Sequence, residues 1–311
     1  MKVKLKITLV SYVLFSQSFF FAQTELPKTV FGRIERIENF KSAFVTSRNV
    51  DVLLPEGYST NEKYAVLYIH DGQMLFDKDI TWNKQSWEMD EASAFSYKDA
   101  DARKFIIVGI WNGGVTRHAD YFPQRPYEML SDSEKDTIEK QLIREGRTND
   151  VFIPNSDNYL KFLVKELKPL IDKKYSVHSD KNNTFIAGSS MGGLISIYAI
   201  CEYPEIFGAA VCISTHWPGI FTLVNNPFPE VMFEYLEKKL PDANEHRIYF
   251  DCGNQTLDSL YPNFQKKVDA VIKKHGYKRK NWITKYFPGD DHSEESWAKR
   301  VHIPIKFIMK K

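Results

Sequence analysis

Short runs of consecutive apolar residues recur along the chain, and each run is bounded by turn residues. Apolar side chains occupy neighbouring positions in these runs, not alternate ones. A strand with that pattern is covered on both faces, as in a parallel sheet. The predicted strands are YAVLYIHDG (64–72), KFIIVGIWNGG (104–114), NTFIAGSS (183–190), GAAVCIS (208–214), RIYFDCG (247–253) and ITKYFPG (283–289).

Segments of helical length lie between these runs. Residues 157–175 carry leucines at three- and four-residue spacing, and Asp157 can cap the start of a helix there. Residues 261–277 are amphipathic and stop at Gly276, which suits a helix C-terminus. Alternation of strands and helices predicts an α/β fold with a mostly parallel central sheet and helices on both faces.

Two parts of the chain depart from this alternation. Residues 31–40 and 42–58 predict antiparallel strands at the N-terminal edge of the sheet. Residues 115–156 are dense in charge and replace a connection that usually has about 2 to 6 residues. We interpret them as a surface insertion that could form a lid or wall above a site. No repeat or Gly/Ser linker divides the chain, so we expect one domain over residues 23–311.

The N-terminus has the layout of a secretory signal peptide. Three lysines precede an uncharged stretch from Ile7 to Ala22, and polar residues follow. We expect cleavage near Ala22 or Gln23 and export to the periplasm or the extracellular space. The stretch contains several polar residues, so a permanent membrane anchor is the less favoured alternative.

Charge and cysteine content narrow the possible functions. The formal net charge of +2 includes the three lysines of residues 1–22. Without that segment the chain has 39 basic and 40 acidic residues. No long basic block remains for nucleic acid. The three cysteines lack metal-ligand spacing, and we expect buried free thiols, although one disulfide is possible.

The clearest chemical motif is Gly188-Ser189-Ser190-Met191-Gly192, which fits G-x-S-x-G between a predicted strand and a predicted helix. A nucleophile on such a tight turn needs glycines two residues before and after it, because bulk there would force strand and helix apart. We therefore predict that Ser190 is the nucleophile. The Met191 N–H at the helix N-terminus is a predicted oxyanion donor.

Serine needs a base, and the base needs an acid that fixes its tautomer. Both should follow Ser190, in the order acid then histidine. His292 comes just after the last predicted strand, in a loop that Gly289 opens. Asp258 lies in a polar loop after an earlier strand and is the favoured acid, while Asp251, still within that strand, stays open as an alternative.

The remaining site residues are expected at the ends of the first two parallel strands. After LYIHDG, the backbone N–H of Gln73 is the candidate for the second oxyanion donor, with Gly72 as the alternative. After the next strand, Trp111 and Asn112 are expected beside the substrate. No partner stands at ligand spacing from His70, so we predict no metal site there, and the predicted serine chemistry needs neither a metal nor an organic cofactor.

With these motifs in place, the chain resembles an esterase family of the α/β-hydrolase superfamily that includes feruloyl and acetyl xylan esterases, S-formylglutathione hydrolase and enterochelin esterases. The resemblance covers about residues 30–308. It implies Ser190 as nucleophile, His292 as base and Asp258 as acid. The motifs that carry it are LYIHDGQMLFD, GIWNGG, RHADYFP, YLKFLVKELKPLID, IAGSSMGGLISIYAICEYPEIFGAAVCIS and GDDHSEESW.

The resemblance implies a serine esterase that works through an acyl-enzyme. An exported location and a Trp- and Tyr-rich strand edge favour feruloyl or acetyl esters of polysaccharide as substrates. A siderophore lactone is the alternative, with Arg117 as a contact for an anionic group. An acyltransferase or a non-catalytic carbohydrate-binding relative also stays open. The expected partner is a small-molecule or oligosaccharide ester, without nucleic acid or a stable membrane anchor.

Overall fold

The computed structural model describes residues 25–311, and the predicted signal peptide, residues 1–22, lies outside them. One mixed sheet runs through this described part of the chain. Its strands are β1 (Arg33–Phe40), β2 (Arg48–Leu54), β3 (Ala65–His70), β4 (Phe105–Ile110), β5 (Thr184–Ser189), β6 (Ala209–Ile213), β7 (Arg247–Cys252) and β8 (Trp282–Tyr286). Their spatial order is β1-β2-β4-β3-β5-β6-β7-β8.

Strand direction follows the hydrophobic pattern. β1 pairs with β2, and β2 with β4, in antiparallel register. All later pairings, from β4 with β3 to β7 with β8, are parallel. These parallel strands are the runs of consecutive apolar residues, so the predicted sheet and its antiparallel N-terminal edge are confirmed.

Helices cover both faces of the sheet. They are α1 (Met89–Tyr97), α2 (Arg117–Tyr121), α3 (Gln124–Glu128), α4 (Asp132–Arg144), α5 (Ser156–Phe162), α6 (Lys168–Lys174), α7 (Met191–Glu202), α8 (Phe228–Lys239), α9 (Pro262–Lys274), α10 (Glu294–Ala298) and α11 (His302–Met309). A π-helical turn, Leu163–Leu167, joins α5 to α6. The single helix predicted over 157–175 is thus irregular, because Pro169 has no N–H for a regular helical bond.

The core lies in two layers, one on each face of the sheet. Along β3, Val66 and Tyr68 point into the layer that α7, α8 and α9 complete. Ala65, Leu67 and Ile69 point into the opposite layer, with α1 and α11. Alternate side chains of one strand therefore pack in different layers, which explains why the strand is apolar at consecutive positions.

The insertion at 115–156 is an ordered layer of three short helices, α2 to α4, between β4 and α5. Ile138 and Leu142 anchor α4 in the core. A buried ion pair at 2.9 Å between Asp120 of α2 and Arg48 of β2 ties the start of the insertion to the sheet. The segment is thus attached to the rest of the fold through the buried face of α4 and through α2.

The cysteines are Cys201, Cys212 and Cys252, and all three are buried free thiols. Burial raises the pKa of each thiol, which keeps them in the unreactive thiol form. In residues 25–311 no helix combines the length and the apolar character needed to cross a membrane.

Candidate active site

The loops after the six parallel strands meet at one edge of the sheet, where carboxyl ends of parallel strands commonly build a site. They line a cavity of about 600 Å³. Each of these strands contributes at least one lining residue from its end or its following loop: Gln73 after β3, Asn112 after β4, Ser190 after β5, Phe221 after β6, Leu257 after β7 and His292 after β8. The topology thus brings together residues that are up to 219 positions apart in the sequence.

Ser190 stands at a strained turn between β5 and α7. Its backbone has φ 56° and ψ −123°, a conformation that L-residues rarely adopt. A Cβ on Gly188 would lie 2.5 Å from the backbone carbon and oxygen of Gly192. The turn therefore requires glycine at position 188, as the sequence motif indicated.

Backbone hydrogen bonds hold this turn against its strain. The Ser190 N–H donates to the Ile213 carbonyl at 3.0 Å, and the Ser190 carbonyl accepts from His216 N–H at 3.1 Å. Met191 is the first residue of α7, so its N–H has no acceptor within the helix. It is available to a ligand oxygen at the positive end of the helix dipole.

The predicted second donor, Gln73, lies in a 3₁₀ turn, Gly72–Met74, directly after β3. Asp71, the residue before this turn, has a left-handed backbone with φ 57°. The turn packs so closely on β4 that a Cβ on Gly72 would overlap the Gly109 backbone. Gln73 lines the cavity, so the structure brings it to the same space as Ser190.

A polar cluster fixes the Asp71 turn from the side. Arg117 donates two hydrogen bonds to the Asp71 carboxylate, at 2.7 and 2.8 Å, and the Asn112 side-chain amide donates a third at 2.7 Å. Burial raises the pKa of Asp71, but Arg117 and Asn112 outweigh it and lower the pKa below its usual value. The Asn112 backbone N–H also donates to Gln73 Oε1 at 3.2 Å.

This cluster changes what Arg117 and Trp111 can do. The Arg117 charge is already paired with Asp71, so it is a poor free contact for an anionic substrate.

Trp111 does not line the cavity. Its N–H still pairs with the Asn49 carbonyl of β2, and its indole donates to Asp51 at 2.8 Å. The expected substrate contact at Trp111 therefore stays a prediction without support from the cavity lining.

His292 is bound to Asp258, the favoured acid, with 2.6 Å between Nδ1 and Oδ1. A carboxylate only accepts, so Nδ1 carries the ring proton and Nε2 is the accepting nitrogen. Asp258 is fully buried. Asp251 contacts Tyr249 and Arg300 instead, so the alternative acid is not the one beside the imidazole.

Aromatic rings hold the His292 imidazole in place. Tyr261 and Trp297 pack edge-on against it, at centroid distances of 5.7 and 5.1 Å. Ser190 and His292 line the same cavity, but in the described part of the chain no hydrogen bond joins their side chains. The Ser190 hydroxyl lies beside the Tyr261 phenol.

The sequence profile of the family described as "Putative esterase" matches residues 42–302. The chain belongs to this family. The predicted family is thereby confirmed, and the match supports the predicted enzyme class, a carboxylic ester hydrolase.

Individual relatives are distant. An endo-1,4-beta-xylanase/feruloyl esterase of Xylanibacter ruminicola is 25% identical over 276 residues, which are 86% of this chain and 30% of the relative. The uncharacterized protein YbbA of Bacillus subtilis is 25% identical over 173 residues, 55% of this chain and 58% of the relative. The chain thus spans less than two thirds of either relative. An IroE-like serine hydrolase structure from Shewanella oneidensis has the same fold, with a TM-score of 0.63, 20% identity and coverage of 89% and 79% of the two chains.

Several cavity residues of this family member escaped sequence reasoning. Trp82, Trp87 and Phe221 form aromatic walls, and Arg147 enters from the insertion. The Arg147 guanidinium lies 5.1 Å from the Phe221 ring centroid. These residues sit in loops without hydrophobic periodicity, so only their aromatic character could have indicated them. Trp82 is 85% exposed, which is unusual for a tryptophan.

Within residues 25–311, no group of three or more His, Cys, Asp or Glu residues is arranged to hold a metal ion. His70, the histidine nearest the Gly72–Met74 turn in sequence, is buried and forms a hydrogen bond with the Tyr159 hydroxyl at 2.7 Å. Burial lowers the pKa of His70 to about 3, so its ring is neutral and structural.

Proposed function

We propose that the chain is a serine carboxylic-ester hydrolase that works through an acyl-enzyme. The observation that carries the proposal is the shared cavity of Ser190 and His292, with Asp258 bound to the far nitrogen of the imidazole at 2.6 Å. Nucleophile, acid and base follow each other along the chain in the order expected for this fold. The strained backbone of Ser190 lifts its side chain out of the turn.

In the first half of the reaction, Ser190 Oγ attacks the ester carbonyl carbon while its proton moves to His292 Nε2. The carbonyl oxygen becomes an oxyanion, and the N–H groups of Met191 and Gln73 donate to it. Asp258 stabilises the imidazolium that forms. The imidazolium then gives its proton to the leaving alcohol oxygen as the carbon–oxygen bond breaks, which leaves an acyl group on Ser190.

In the second half, water repeats the sequence. His292 takes a proton from water, the hydroxide oxygen attacks the acyl carbon, and the same two N–H groups hold the oxyanion. Collapse of this intermediate returns the proton to Ser190 Oγ and releases a carboxylic acid. Each step needs only groups that this chain supplies together with water.

We propose feruloyl or acetyl esters of polysaccharide as the substrates. The aromatic walls of the cavity suit a planar acyl group, and the exposed Trp82 ring at its rim offers a surface for a sugar. The Xylanibacter ruminicola relative is described as a feruloyl esterase joined to a xylanase. Polysaccharide lies outside the cell, which agrees with the export signal proposed for residues 1–22.

A siderophore-type lactone is the second candidate. Arg147 lines the cavity, and no carboxylate of residues 25–311 forms an ion pair with it, unlike Arg117. An anionic substrate could use this guanidinium. Methyl ferulate, an acetylated xylo-oligosaccharide and a catecholate trilactone, compared by kcat/KM, distinguish the two candidates, and Arg147→Ala should impair only the last.

The reaction itself is tested by hydrolysis of p-nitrophenyl acetate. We expect the parent to be active and Ser190→Ala to lose about 10⁴-fold or more in kcat/KM, with an unchanged circular dichroism spectrum. Equal traces of activity in both proteins would contradict the proposal and leave a binding protein. Export is tested separately: expressed with residues 1–22, the protein should reach the periplasm with an N-terminus near Gln23.

A further inference from the structure

A buried arginine lies behind the proposed triad acid, and the mechanism does not use it. Arg300 is 2% exposed. Its Nη2 lies 3.8 Å from Asp258 Oδ2, on the opposite side of the carboxylate from His292. Without a countercharge, this cation would weaken the electrostatic stabilisation that Asp258 gives to the imidazolium formed during catalysis.

Ser214 connects the arginine to the acid. Its hydroxyl lies 2.6 Å from Asp258 Oδ2, 2.9 Å from Arg300 Nη2 and 3.1 Å from the Trp297 indole nitrogen. Arginine and indole nitrogens can only donate, so both occupy the lone pairs of the hydroxyl. The single Ser214 proton must therefore point to Asp258, and the direction of this hydrogen bond is fixed by its other neighbours.

Asp251 provides the countercharge. Its carboxylate is fully buried, accepts from Arg300 Nη2 at 3.2 Å and accepts from the Tyr249 hydroxyl at 3.0 Å. Asp290 holds the other end of the guanidinium, with 2.7 Å to Nη1, but its side chain is 26% exposed. Water screens a partly exposed charge more strongly than a buried one, so Asp251 is the more effective partner.

We propose that Asp251 is a positioning residue for ester hydrolysis. Its charge offsets the charge of Arg300, so that the Asp258 carboxylate, oriented by the Ser214 hydroxyl, keeps its full electrostatic stabilisation of protonated His292. This inference rests on the proposed function. It also gives a role to the aspartate that the sequence left open as an alternative acid.

Other ionisable groups surround Asp251. Cys252 on its own strand and Cys212 on β6 interact with it as buried thiols, and the Lys285 backbone is its register partner on β8. Burial raises the pKa of Asp251 to about 6, against the opposing effect of Arg300.

The test uses Asp251→Asn, which keeps the shape of the side chain and removes its charge. With the partly exposed Asp290 left as its countercharge, Arg300 should move the acid limb of the kcat/KM profile to lower pH by on the order of one unit. The plateau of kcat should fall by about threefold to thirtyfold, far less than for loss of Asp258. Asp290→Asn is the matched control, and its shift should be less than half as large.

A spectroscopic readout separates this inference from the esterase proposal. The imidazole NMR signal of His292, assigned by its loss in His292→Gln, should titrate at lower pH in Asp251→Asn than in the parent, whether or not an ester is hydrolysed. Adding Arg300→Met to Asp251→Asn should return the midpoint to the parent value. A His292 midpoint and an acid limb that both stay at the parent values in Asp251→Asn would overturn the inference and leave Asp251 a structural role only.

Discussion

The Arg117–Asp71 pair leads to a specific prediction about the Gly72–Met74 turn, which carries the proposed oxyanion donor Gln73 N–H. Arg117→Met removes two charge-assisted hydrogen bonds at 2.7 and 2.8 Å and leaves the Asp71 carboxylate with Asn112 as its remaining side-chain donor. Asp71 keeps its left-handed backbone, φ 57°, only while its surroundings hold it. The Gly72–Met74 turn, and with it the Gln73 N–H, should therefore lose its fixed position.

The size of the effect follows from the exposure of the pair. The side chains are 28% and 11% exposed, so solvent compensates part of the loss, and we expect a cost of about 1 to 3 kcal/mol in the free energy of unfolding. Complete loss of an oxyanion donor costs about 10² to 10³ in kcat. A displaced donor should cost less, so we expect kcat to fall about tenfold to a hundredfold.

The assay is steady-state hydrolysis of the neutral ester p-nitrophenyl acetate, with the melting temperature of each variant measured in parallel. Arg117→Lys keeps the charge but not the two-pronged geometry, and should fall between parent and Arg117→Met. Arg125→Met is the matched control, because Arg125 is paired with Glu202 at 2.6 Å and does not line the cavity. An unchanged kcat in Arg117→Met would refute the positioning role, and a raised KM for anionic esters alone would make Arg117 a substrate contact instead.

Three further predictions concern the acid, a buried histidine and the strained turn. Asp258→Asn should lower kcat by about 10³ to 10⁴ while Tm changes little, and a loss under tenfold would argue against Asp258 as the triad acid. His118 is buried against Phe122, and burial lowers its pKa in the folded protein to about 3. Between this value and the ordinary histidine pKa of 6.5, the unfolded chain binds a proton at His118 and the folded protein does not. The free energy of unfolding therefore decreases as the pH falls through this range. His118→Phe should remove about 1.4 kcal/mol per pH unit from this slope between pH 6 and 4 in urea titrations, and parallel slopes would contradict it. Gly188→Ala should abolish soluble folded protein, because the new Cβ would lie 2.5 Å from the Gly192 backbone; a well-folded variant would show that the turn tolerates a side chain.

The fold could be predicted because the parallel strands, apart from the edge strand β8, are buried on both faces. Runs such as 64–72 and 183–190 are apolar at consecutive positions, and each contains an observed strand. The same rule located Ser190 and His292, because strand ends that follow one another in a parallel sheet share an edge. The π-helical turn Leu163–Leu167 was not predicted, since leucine spacing alone does not show how Pro169 alters the hydrogen bonds.

The limits of sequence reasoning at the site are equally physical. Trp111 was expected beside the substrate because β4 ends nearby, but the sequence did not show that its backbone pairs with Asn49 and its indole with Asp51. Arg147 and Phe221 meet only after the insertion has folded onto the loop after β6. Arg300 gave no signal, because nothing in a linear pattern shows that a charged residue is buried behind an acid.

The most direct test of the account is covalent labelling with a fluorophosphonate, followed by peptide mass spectrometry. The proposed mechanism predicts one stoichiometric adduct on Ser190, absent from Ser190→Ala and formed about 10³-fold more slowly in His292→Ala. An adduct on another residue, or labelling of Ser190→Ala at the parent rate, would contradict the claim that the strained serine is the nucleophile and His292 its base.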